Sequence, residues 1–316
     1  MKLQTTLPLQ PQQHNQIDYN SCILLLGSCF VENIGSKLDY FKFQNLQNPF
    51  GILFQPLAIE KLITNAVNEQ KYTENDIFFH NEQWHCYDAH SKLSNTSKDE
   101  LLYVLNEQIC LTTKQLNNSS HIIITLGTAW VYRDIETGKI VANCHKVSQK
   151  IFLKELLTVD KISESLQSIV ELIRSVNKKI SILFTVSPVR HLKDGFVENT
   201  QSKAHLIAGI HRVVEPRHHL HYFPSYEIMM DELRDYRFYA EDMIHPNQTA
   251  INYIWEKFQH VWISKGASEI MDAVDFIQKG LHHKPFNSNS EAHLQFLHKL
   301  EEQKAQMSLK VLHIKF

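Results

Sequence analysis

Ile23-Leu24-Leu25-Leu26-Gly27-Ser28-Cys29-Phe30-Val31-Glu32-Asn33-Ile34 is the stretch on which the fold turns. Its four leading apolar residues read as a strand buried on both faces. After Phe30 the spacing of Val31, Ile34 and Leu38 is helical. Ser28 therefore stands where a strand gives way to a helix. Such a corner sets a hydroxyl at the carboxyl end of a strand, beside the N–H groups that open a helix. Those groups favour negative charge. Gly27 leaves room for a close approach. Ser28 reads either as a helix cap or as the nucleophile of a strand–turn–helix elbow.

Working outward, further strands are expected near 41–46, 121–126, 180–186 and 221–223. Helices are expected over 56–67, 97–116, 153–176, 199–214 and 247–263. Pro56 opens its helix, and Ser97 with Glu100 has the pattern of a capping box. Glu136-Thr137-Gly138 joins a short hairpin, and an aromatic and His-rich insertion lies near 72–96. Strands alternating with helices predict an α/β fold. The expected form is a three-layer α/β/α domain over 1–265 with a doubly wound, mainly parallel sheet of flavodoxin-like order. A helical C-terminal extension over 266–316, broken at Pro285, follows it. In that order the ligand crevice lies between the first and third strands. Those strands end at Gly27-Ser28 and Gly127-Thr128.

The totals bound the function. The chain has 316 residues, 43% hydrophobic and 21% charged, with 32 basic against 34 acidic side chains. This balance offers no nucleic-acid or membrane surface. No apolar run is long enough to span a bilayer, and the polar, Gln-rich N-terminus is no secretory signal. Five cysteines without a C-x-x-C argue against a disulfide framework or a Cys-rich zinc site. No H-x-x-x-H or H-E-x-x-H spacing occurs among the 19 histidines, so no metal and no cofactor is expected. The expected setting is the cytoplasm, with the C-terminal helices serving as a lid or as a homo-oligomer contact.

A nucleophilic serine needs a base, and the base an orienting partner. Among the histidines, Ala240-Glu241-Asp242-Met243-Ile244-His245-Pro246-Asn247 has the best context. Asp242 stands three residues before His245, just ahead of a helix. A tight loop can aim both side chains one way; the other reading is local turn contacts. Cys29 is a rival nucleophile. Arg190, His191 and Lys193 follow the strand that ends at Val186, and His145 and Lys146 follow the hairpin. They suit a polar or anionic substrate group. His85 and His90 lie on the aromatic insertion.

Several blocks together resemble a known family. Gly27-Ser28-Cys29-Phe30, Asn48-Pro49-Phe50-Gly51, Thr125-Leu126-Gly127-Thr128-Ala129-Trp130, Asn143-Cys144-His145-Lys146, Thr185-Val186-Ser187-Pro188-Val189-Arg190-His191 and Asp242-x-x-His245-Pro246 resemble the GSCFA family, within the SGNH/GDSL hydrolase clan. The resemblance implies Ser28 as nucleophile, His245 as general base and Asp242 as its orienter. It implies an oxyanion hole from the N–H groups of Ser28 and Gly51. The clan's third block ends G-x-N-D, and its Asn is missing here, so Thr128 or Asn143 is the expected third donor. The expected substrate groups are Arg190, His191, His145, Lys146 and His90. The implied activity is hydrolysis of an O-acyl, acetyl-like ester on a carbohydrate or other small polar molecule. An acyltransferase using the same serine, and a non-catalytic ligand-binding protein, are the alternatives.

Overall fold

The structure is a computed structural model and describes residues 5–316. The strands are β1 (Cys22–Gly27), β2 (Gln44–Gln47), β3 (Ile77–His80), β4 (Gln83–Cys86), β5 (His121–Leu126), β6 (Trp130–Asp134), β7 (Ile140–Val141), β8 (Phe152–Leu156), β9 (Ser181–Val186) and β10 (Leu220–Tyr222). The helices are α1 (Phe30–Tyr40), α2 (Pro56–Val67), α3 (Lys98–Asn118), α4 (Val159–Val176), α5 (Phe196–His211), the short α6 (Ser225–Glu227), α7 (Gln248–Trp262), α8 (Lys265–Leu281) and α9 (Glu291–Lys310).

The central sheet runs β10-β9-β5-β1-β2, and every neighbouring pair is parallel. This is the flavodoxin-like order, with the reversal between β1 and β5. The period of two along each strand divides the core. Leu24, Leu26, Ile122 and Ile124 face α2 to α5, packing on Ile59, Leu105, Leu166 and Leu206. Ile23, Leu25 and Ile123 face α1 and α7, packing on Val31, Ile254 and Trp255. The middle strands β1, β5 and β9 are therefore mainly apolar because both of their faces are covered, while the edge strand β2 is polar and only partly buried. The fold is three-layered, as expected.

Two expectations need correction. Residues 153–156 do not begin a helix. They form β8, which pairs antiparallel with β6 and places Glu155 for a 2.7 Å ion pair with Arg133. Thr158 starts α4 instead, its side chain accepting from the Lys161 N–H. The strand expected at 41–46 begins only at Gln44. The helix before it runs to Tyr40, and Lys42 turns the chain in a left-handed conformation.

β3 and β4 pair antiparallel as a hairpin within the insertion. α8 and α9 lie against the α1–α7 face, where Met271, Val274, Leu300 and Met307 join the same buried cluster as Val31 and Trp255. Among the described residues, no helix is long and apolar enough to cross a membrane.

Candidate active site

Ser28 follows β1 at the reversal point of the sheet. Gly27 has φ +133°, and a Cβ there would stand 2.1 Å from the Thr125 carbonyl oxygen, so only glycine fits. Asn48 Oδ1 accepts the Gly27 N–H at 2.9 Å, which ties the Asn48-Pro49-Phe50-Gly51 turn to the bend. Cys29, not Ser28, is the cap residue of α1, and no side chain caps that helix. Ser28 is fully buried, and its Oγ has no hydrogen-bond partner. The hydroxyl is therefore not engaged as a cap.

Asp242 and His245 do meet. Asp242 Oδ2 accepts from His245 Nδ1 at 2.7 Å, while Oδ1 accepts the N–H groups of Ile244 and His245 at 2.9 and 3.0 Å. Met243, left-handed at φ +55°, makes this tight loop close. Asn247 caps α7 just beyond it, accepting the Ala250 N–H. The Arg190 N–H, donated to the Ile244 carbonyl, binds the loop to the segment after β9. The carboxyl of Asp242 is held down to about 2 by the His245 N–H, the His245 ring and the Ile244 N–H. A carbon-detected titration is expected to find Asp242 half-protonated near pH 2. The stabilisation it gives the loop is then present above about pH 4 and lost as the pH falls toward 2.

Ser28 Oγ does not bond to His245 in this structure. A different histidine, His191, borders Gly127 together with Ser28. A Cβ on Gly127 would stand 3.1 Å from His191 Nε2 and 3.2 Å from Ser28 Cβ, so both border one point. Phe54 meets the His191 ring edge-on at 5.2 Å. Nε2 is buried without a partner. Burial, the Lys203 ammonium and the nearby His245 push His191 down to about 3, so its ring is neutral at pH 7.

Beneath these residues lies a feature that the sequence reading missed. The buried face of α5 carries Asn199, Ser202 and Lys203 at helical spacing. Asn199 Oδ1 accepts the His191 N–H at 2.9 Å, and Ser202 Oγ accepts the Ala129 N–H at 2.7 Å. Lys203 is 1% exposed, and its Nζ donates to the carbonyls of Gly127 and Ser187 at 2.7 and 2.8 Å. It thereby pins the ends of β5 and β9. Burial pushes this lysine down to about 7. Polar residues on the inward stripe of a helix were the available signal.

Three of the four expected oxyanion donors, Ser28, Gly51 and Thr128, have their N–H groups engaged elsewhere. The Ser28 N–H goes to Thr125 O, and the Gly51 N–H to Asn48 O. The Thr128 N–H goes to Phe54 O, and its hydroxyl lies 3.1 Å from Ser202 Oγ. Asn143 Oδ1 accepts the His145 N–H, and its own N–H goes to Tyr87 O. Gly51, at φ +71°, is needed because a Cβ would stand 2.5 Å from His90 Cβ.

His145 is buried against Phe78, His85 and Tyr87 with Nε2 on Cys86 O, so its ring is committed to packing in the insertion. His90 is half-buried, and its Nδ1 accepts the Lys92 N–H. Lys146 and Lys193 are both exposed. Arg190 stacks on Tyr239 at 4.2 Å and Tyr236 at 5.2 Å, beside a 160 Å³ cavity that also reaches Arg234. Burial and the Glu32 carboxylate push the Cys29 thiol up, which disfavours the thiolate that a nucleophile needs.

No curated protein matches the chain. The model of the GSCFA family matches residues 22–258, from the first residue of β1 into α7. A second model, the GSCFA domain protein, C-terminal domain, matches residues 274–316, in α8 and α9. With three quarters of its length in the first match, the chain belongs to the GSCFA family.

Proposed function

We propose that the protein is a serine esterase of the SGNH/GDSL hydrolase type. The observation that carries this reading is the Asp242–His245 pair, closed at 2.7 Å and bonded through Arg190 to the segment leaving β9. Ser28 lies at the strand-to-helix bend of the same sheet edge. Ser28 Oγ attacks the ester carbonyl, and His245 takes its proton. Asp242 holds the imidazole in the tautomer with Nδ1 protonated and stabilises the imidazolium that forms. The carbonyl π pair becomes an oxyanion. On collapse His245 returns the proton to the leaving alcohol, and water then releases the acyl group from Ser28.

The substrate reading is an acetyl-like ester on a carbohydrate or other small polar molecule. Arg190 supports it as a cation held rigid between aromatic faces, able to take an anionic or polar group of the substrate. A cytoplasmic setting agrees with five unpaired cysteines.

A fluorophosphonate probe tests the reading. Wild type is expected to be labelled on Ser28, and Ser28→Ala to take up none. Equal labelling of the two, or none in the wild type, overturns it. The second reading, a ligand-binding member that has lost catalysis, is favoured by the complete burial of Ser28. It predicts ligand-induced thermal stabilisation without turnover.

A further inference from the structure

Ser28 Oγ and His191 Nε2 are both buried polar atoms without a hydrogen-bond partner. Buried polar groups are nearly always paired, and those left open at a site are available to a reacting group. Both border the space over Gly127, at 3.2 Å for Ser28 Cβ and 3.1 Å for Nε2. The N–H groups of Ser28, Gly51 and Thr128, by contrast, are donated to carbonyls of the fold. An acyl carbonyl attacked by Ser28 develops its negative charge within reach of the atoms around Oγ. It needs a donor there that is not already engaged.

We infer that the His191 Nε2–H is an oxyanion donor, filling the place left by the absent asparagine at Gly127-Thr128-Ala129-Trp130. The inference rests on the esterase reading above. A neutral imidazole carries one N–H; with the proton on Nε2, His191 donates toward the oxyanion without transferring it. No bond to His191 is made or broken. The serine proton goes to His245, and the displaced π pair stays on the acyl oxygen until the intermediate collapses. Three contacts preorganise the ring. Phe54 meets it edge-on at 5.2 Å, and Asn199 Oδ1 accepts its backbone N–H at 2.9 Å. Lys203 fixes the Gly127 carbonyl beside it at 2.7 Å. The buried ammonium also opposes protonation of the ring, which keeps the donor neutral. A neutral histidine as electrophile is an established device in proton-transfer enzymes.

The test is steady-state hydrolysis of p-nitrophenyl acetate by wild type, His191→Phe, His191→Leu, His191→Gln and Ser28→Ala. Circular dichroism and thermal melts serve as fold controls. His191→Phe keeps a ring against Phe54 but has no N–H. It is expected to lose about a hundred- to a thousandfold in kcat with KM little changed. His191→Gln, whose amide N–H reaches a similar position, is expected to recover most of that loss. Affinity for a small alkyl boronic acid, whose adduct on Ser28 carries the oxyanion, is expected to fall in step with kcat/KM in Phe and Leu but not in Gln. Wild-type rates in both Phe and Leu, or a Gln variant as slow as Phe, overturn the inference and leave the esterase standing. Turnover that is unaffected in Ser28→Ala overturns the esterase reading, and the donor with it.

Discussion

His245→Ala is expected to slow ester turnover by about ten-thousandfold, while His191→Gln loses far less. The contrast decides which histidine is the base. His191 borders the same point over Gly127 as Ser28, its Nε2 at 3.1 Å and Ser28 Cβ at 3.2 Å. Proximity alone would select it. The chemistry selects His245. A general base works best with a pKa near the operating pH, and His191, held down to about 3, takes a serine proton poorly. His245 has the carboxylate of Asp242 on its Nδ1 at 2.7 Å, which stabilises the imidazolium formed on proton transfer. Glutamine cannot accept the proton, so a dead His191→Gln would mark His191 as the base instead. The Ser28→Ala/His245→Ala double variant is expected to be no slower than either single one, because members of one relay act as a unit. Losses that multiply would separate the two residues functionally. Catalysis also requires Ser28, now fully buried, to become accessible and to reach His245. On the proposed esterase reading, a bond absent in the free protein can form with substrate in place.

The sheet was legible because both faces of its middle strands are covered. Ile23–Leu26, Ile122–Ile124 and Ile182–Phe184 read as apolar runs, and their alternation with helices indicates a parallel sheet. The Asp242–His245 pair was legible because the partners are three residues apart and a loop decides their geometry. Three things were not. β8 has two outward-facing residues, Leu153 and Lys154, and its strand state is decided by pairing with β6, a long-range contact. The engagement of the Ser28 and Gly51 N–H groups depends on Thr125 O and Asn48 O, that is, on register and turn closure. His191 stands in the sequence as one basic residue among Arg190 and Lys193. Only the approach of Gly127 and Phe54 sets it apart.

Lys203→Met is expected to destabilise the fold near pH 9 by roughly 2–6 kcal/mol, about 1–3 for each carbonyl left without its donor, and to slow catalysis beyond what stability explains. Methionine fills the volume but donates nothing, so the Gly127 and Ser187 carbonyls lose bonds of 2.7 and 2.8 Å in a buried setting. Each unpartnered buried acceptor costs about 1–3 kcal/mol. Gly127 borders Ser28 and His191, so slack in its carbonyl reaches the donor geometry at the oxyanion. The pH dependence separates this role from simple packing. Lys203 sits at about 7 in the fold against 10.5 for an unperturbed lysine. Below about pH 7 both folded and unfolded chains carry the proton, and the penalty for burying charge is complete. Between about 7 and 10.5 the unfolded chain holds more protons, so this group's contribution to wild-type stability rises with pH. Methionine has no such step. Urea unfolding near pH 6 and near pH 9 is therefore expected to show the gap between wild type and Lys203→Met widening at the higher pH. A gap that stays constant would mean that the amine keeps its proton throughout the window, held there by the two carbonyls. A gap that narrows would reverse the sign and require an anion beside Lys203 in the folded protein.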